Sequence, residues 1–153
     1  MTTIAMTTDR IEKTTVLRAP RSRVWRALTD ITQFGQWFGI TLNEPFAVGR
    51  SITGELTMRG EHFTIDFAVE RMDAEEYFAY RWHPYAIDPK TDYSTEPMTL
   101  VEFRLTSVPE GTELTVIESG FDRIPAHRRD EAYRMNDGGW TSQIVKLTRY
   151  VSA

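Results

Sequence analysis

The stretch GGWTSQIVKLTRYV, residues 138–151, ends the chain on a helical rhythm. Trp140, Ile144, Leu147 and Val151 fall at i, i+4, i+7 and i+11, while Lys146 and Arg149 lie off that stripe, so the segment predicts an amphipathic helix with one buried face. Working back toward the N-terminus, the period changes. From Ile40 to Phe121 apolar residues recur at every second position: Ile52, Gly54, Leu56 and Met58; Phe63, Ile65, Phe67 and Val69; Phe78, Tyr80 and Trp82; Val101, Phe103 and Leu105; Leu114 and Val116. Gly60-Glu61, Asp73-Ala74-Glu75 and Pro109-Glu110-Gly111 separate these runs as turns, which predicts an antiparallel meander. Its one long connection, Pro84 to Pro97 with three prolines, is expected to loop over one end of the sheet.

Ahead of the meander, Ala19-Pro20 opens a helix carrying Val24, Trp25 and Leu28, since proline fits a first helical turn. Asp30 is placed to cap a second short helix bearing Phe34, Trp37 and Phe38, with Gln33 as its capping-box partner and Gly39 as its stop. Arg10 to Arg18, with Ile11 and Val16 among threonines and charges, reads as a first strand with one half-buried face. Met1 to Asp9 lack a basic flank followed by an apolar run and are expected to form a flexible N-terminus of a cytoplasmic protein.

Those fragments, in that order (Ala19-Pro20 with Val24-Trp25, Trp37-Phe38-Gly39, Gly111-Thr112 with Glu118-Ser119-Gly120-Phe121, and Gly138-Gly139-Trp140), resemble the START-like, or SRPBCC, superfamily in its branch similar to the C-terminal domain of the activator of the heat-shock-protein-90 ATPase. The resemblance covers residues 10–152 as a single domain. It implies an α+β helix-grip fold, in which a curved antiparallel sheet and two short helices are crossed by a long C-terminal helix that encloses a cavity. Fold alone does not set what such a cavity does.

Composition narrows the functions. With 41% hydrophobic and 26% charged residues the chain reads as an ordinary globular domain, and a net charge of -4 argues against a nucleic-acid binder. Cysteine is absent, which removes disulfides, thiolate metal sites and a cysteine nucleophile. His62, His83 and His127 have no metal-ligand spacing, Ser119 lies in no nucleophile elbow, and no segment is long and apolar enough to span a membrane. No metal or cofactor is expected. Arg128-Arg129-Asp130-Glu131 reads as a solvated helix start.

Candidate site residues come from the inner face. Trp37, Phe38, Phe63, Phe67, Tyr80, Trp82, Phe103, Trp140 and Ile144 each read singly as core, and as a set they could line an apolar pocket with Tyr80 offering a hydroxyl. Glu118 shares a strand face with Leu114 and Val116, which turns a carboxylate inward. Three environments stay open for it: an anchor or acid with a raised pKa, an open strand end, or a partner in Arg81 or Arg104. Gly138-Gly139 should cost a helix roughly 1 kcal/mol each, offset by close helix-to-sheet packing or put to use as a hinge. The expected function is binding of a small hydrophobic molecule by a monomer or weak homodimer, without nucleic acid or membrane. The alternatives implied by the resemblance are a cyclase- or aromatase-like enzyme using an internal acid, and a chaperone-regulating module; in the eukaryotic activators the latter role belongs to chains with an additional N-terminal domain.

Overall fold

The computed structural model describes residues 10–88 and 90–152; the flexible N-terminus expected for residues 1–9 lies outside them. Strand β1 (Arg10–Leu17) is followed by helices α1 (Arg21–Thr29) and α2 (Ile31–Phe38). Strands β2 (Thr41–Leu42), β3 (Ser51–Met58), β4 (Glu61–Asp73), β5 (Tyr77–Trp82), β6 (Thr99–Val108) and β7 (Gly111–Ser119) come next, and helix α3 (Ala126–Ser152) ends the described chain. Among the described residues the sheet runs β1-β7-β6-β5-β4-β3-β2, antiparallel at every pairing. This is the helix-grip arrangement. No described helix is long and apolar enough to cross a membrane.

Local chemistry explains the elements. Asp30 caps α2 by accepting from the Thr32 and Gln33 amides, both at 3.0 Å, and Gly39 ends the helix in the left-handed region at φ 90°. The expected capping box does not close, because the Gln33 carboxamide instead accepts from Arg23 Nη1 at 3.0 Å. Val16 is another departure: it faces outward, and Leu17 shares the inner face with Ile11. In β4 a bulge between Val69 and Arg71 shifts the register against β5, so a 13-residue strand bends around the core.

The inner face and the helices bury one continuous cluster, from Ile11 and Leu17 through Phe67, Tyr80, Phe103 and Val116 to Trp140, Leu147 and Val151. Ile144 is only partly buried at its margin. Helix α3 is held at both ends. At its C-terminal end Arg23 donates to the Tyr150 carbonyl at 2.9 Å and lies over the Tyr150 ring, while Gln143 donates to the Phe38 carbonyl. At the other end Arg128 overturns its reading as a solvated residue. Its guanidinium donates to the Pro84 carbonyl at 2.9 Å, pairs with Glu96 at 2.7 Å and stacks over Tyr93, and so fastens the long β5–β6 connection to α3. Asp130 and Glu131 are exposed, as expected.

Gly111 shows how tightly β1 and β7 are drawn together. It has φ 147°, and a Cβ there would lie 2.1 Å from the Leu17 carbonyl oxygen. Gly60, with φ 79°, has open space around it. Gly111→Ala should therefore cost about 3 kcal/mol or more, and Gly60→Ala only about 1–2 kcal/mol, as read from urea denaturation midpoints. Equal losses at the two positions would mean that the close approach is not what Gly111 supplies.

Candidate functional site: a buried carboxylate among aromatic rings

Strand alternation turns Glu118 inward, and cross-strand register sets its neighbours. Val101 lies opposite Glu118 across β6–β7 and opposite Tyr80 across β5–β6, while Trp82 pairs with Thr99 where the β5–β6 connection begins and ends. Glu118 is fully buried. Its Oε2 accepts from Thr99 Oγ1 at 2.6 Å and from Trp82 Nε1 at 2.8 Å. Its Oε1 accepts from Trp140 Nε1 at 2.8 Å, and Asn136 Nδ2 donates to both oxygens at 3.0 and 3.1 Å.

Neither solvent nor an arginine satisfies this carboxylate. Arg81 pairs with Glu70 and Arg104 with Glu102, on the outer side of the sheet. The open strand end and the ion pair are thus both excluded, and Glu118 sits among neutral donors. Burial pushes its carboxyl above the ordinary value, while the hydrogen bonds from Thr99, Trp82, Trp140 and Asn136 pull the other way without cancelling it. Tyr80 carries a further polar group of the interior. Its hydroxyl is fully buried with no hydrogen-bond partner among the described residues, and burial together with the nearby Glu118 charge raises its pKa well above normal.

Aromatic rings surround this pair. Trp82 and Trp140 stack at 5.8 Å between centroids, Tyr80 meets Trp82 edge-on at 5.3 Å and Phe67 at 5.0 Å, and Phe103 meets Trp140 at 5.7 Å. Phe38 reaches Trp82 and Trp140 from α2. Where a cavity is expected, the chain's own rings lie against one another. Two open grooves lie at the surface. One of about 480 Å³ runs past Gly39, Glu55 and His62, and another of about 400 Å³ lies beside Tyr93, His127 and Arg128.

The family model described as activator of Hsp90 ATPase homolog 1-like protein matches residues 18–152. The chain belongs to this family. Within the same START-like, SRPBCC fold, it is similar to protein MLL2253 from Mesorhizobium loti, at 26% identity over 94% of this chain and 96% of that one, with a TM-score of 0.74. DynU16, a protein of the dynemicin biosynthetic locus, is 25% identical over 95% of this chain and 48% of its own length, with a TM-score of 0.71. CV1439 from Chromobacterium violaceum, at 20% identity, 96% and 99% coverage and a TM-score of 0.74, shares the fold. No curated protein matches the sequence.

Within this chain the anticipated residues separate into groups. Phe67, Tyr80, Trp82, Phe103, Glu118 and Trp140 meet in the interior, with Phe38 at its edge. Trp37 is buried but turned to α1, where its Nε1 donates to the Ala27 carbonyl at 2.7 Å. Phe63 is partly exposed on β4 outside the buried cluster, and Ile144 lies at the cluster's margin. Thr99 and Asn136, both donors to Glu118, escape a reading based on apolar periodicity. Asn136 lies four residues before Trp140 on α3, and that helical spacing was the available signal.

The raised Glu118 pKa fixes a sign. Between the unfolded value, 4.5, and the higher native one, the folded state keeps a proton that the unfolded state has lost, so stability falls as pH rises through that window. Wild type should lose stability relative to Glu118→Gln as pH climbs above about 4.5, in urea titrations across a pH series. A stability difference that grows the other way would place the native pKa below the unfolded one.

Proposed function

We propose that this protein binds one small hydrophobic or aromatic molecule between the sheet and α3. The observation that carries this reading is the Tyr80 hydroxyl. A buried polar group without a partner costs about 1–3 kcal/mol, and native interiors rarely keep one. Phenylalanine would fill the same space without that cost. The hydroxyl is therefore accounted for by a bound state in which it donates to an acceptor on the ligand. Family membership supports the location, and the surrounding rings supply the apolar lining that a pocket for such a molecule needs. No nucleic acid enters this reading, and the binder acts as a monomer or weak homodimer.

A second reading, catalysis by an internal acid of the cyclase kind, is favoured by the upward shift of the Glu118 carboxyl. With α3 closed, both of its oxygens are engaged by donors. Proton transfer to a substrate would require one of those donors to leave.

Native mass spectrometry of protein purified from its own host should show a retained small molecule at one equivalent. Tyr80→Phe should raise the stability of the ligand-free protein by about 1 kcal/mol and lower the retained fraction. Absence of both a retained mass and one-site uptake of an apolar fluorophore would overturn the binding reading.

A further inference from the structure

We propose that the Trp140 indole is an internal stand-in for the ligand, and that the molecule displacing it is a planar aromatic compound carrying an N–H or O–H donor for Glu118. This rests on the interior binding reading above and adds the ligand class and the way the site opens.

The indole is held as a bound ring would be held. One face stacks on Trp82, Phe103 and Phe38 meet it at steep interplanar angles of 78° and 63°, and its single polar atom donates to Glu118 Oε1 at 2.8 Å. It also comes from α3 and not from the sheet, directly after Gly138 and Gly139. The sequence offered close packing or a hinge as reasons for that pair. Packing fails: both glycines are exposed, and a Cβ on either would meet nothing within 4 Å. Neither has a positive φ. What they supply is backbone freedom in the turn that carries Trp140.

Both ends of α3 are fastened, by Arg128 to the Pro84 carbonyl and Glu96 and by Arg23 to the Tyr150 carbonyl. Opening is accordingly local. A break at the glycine pair turns the indole out while Trp82 and Thr99 keep Oε2 and Asn136, on the other side of the break, stays in reach of both oxygens. Oε1 alone loses a donor. An entering ring that brings an N–H or O–H restores it, whereas an isosteric ring without one leaves Oε1 with Asn136 as its remaining donor.

The probes are 2-naphthol and 2-methoxynaphthalene, which share a ring and differ in the donor. Calorimetric titration of the wild-type protein should give one site for 2-naphthol and binding at least about 10-fold weaker for the methyl ether. In 5-fluorotryptophan-labelled protein, the fluorine resonance assigned to Trp140 by its loss in Trp140→Phe should move on binding to a solvent-exposed position. Alanine at both glycines favours the closed helix, so Gly138→Ala/Gly139→Ala should stay folded and bind 2-naphthol about 10-fold more weakly or worse. Equal affinity for the two probes, an unmoved Trp140 resonance, or unchanged affinity in the double alanine variant overturns this inference and leaves interior binding standing. If neither probe binds the wild type or Trp140→Ala, the binding reading falls with it.

Discussion

A carboxylate buried without a cation is the constraint on which this structure turns. Removing an ionised group from water costs several kcal/mol even after relaxation, and no arginine or lysine among the described residues offsets it. The compensation is geometric, because Trp82 on β5, Thr99 on β6, and Asn136 and Trp140 on α3 must all arrive together at one residue of β7. That requirement fixes the rotation of α3 about its own axis more sharply than the apolar stripe does. A stripe tolerates a small rotation, whereas an indole N–H 2.8 Å from an oxygen does not.

The aromatic cluster then acquires its order from the carboxylate. Rings packed by area alone have many arrangements of similar energy, but two of these indoles are pinned through their nitrogens to opposite oxygens of Glu118, which brings them into a stack. Tyr80, Phe67 and Phe103 fill the space left around that stack. The orphaned Tyr80 hydroxyl stands out for this reason. It is the polar atom that the network around Glu118 leaves out.

Much of this could be read from residue order. Alternation in Phe78, Tyr80 and Trp82, and in Leu114, Val116 and Glu118, names the inner face correctly because a strand's period is two whatever it pairs with. The stripe from Trp140 to Val151 likewise names the gripping face of α3. What stayed hidden depends on which elements meet. Thr99 and Asn136 are ordinary polar residues until the fold carries them to Glu118, and Arg128 looks solvated until a connection some forty residues earlier in the chain lies against it. The bulge after Val69 leaves no mark on alternation that a bend in the strand would distinguish. Val16 misled because it lies an odd number of residues from Ile11, and a period of two puts the pair on opposite faces of β1.

The Arg128 contact and the Glu118 site are mechanically joined. The connection that Arg128 holds leaves the sheet at Trp82 and returns at Thr99, and those two residues are paired across β5–β6 and supply both sheet-side donors to Glu118. Arg128 and Asn136 lie on the same helix, on the same side of the glycine pair. A displacement of the connection is therefore felt at Oε2 through Trp82 and Thr99, and at both oxygens through α3 and Asn136. Trp140, beyond the glycines, is the one donor to Glu118 that can leave without disturbing that frame.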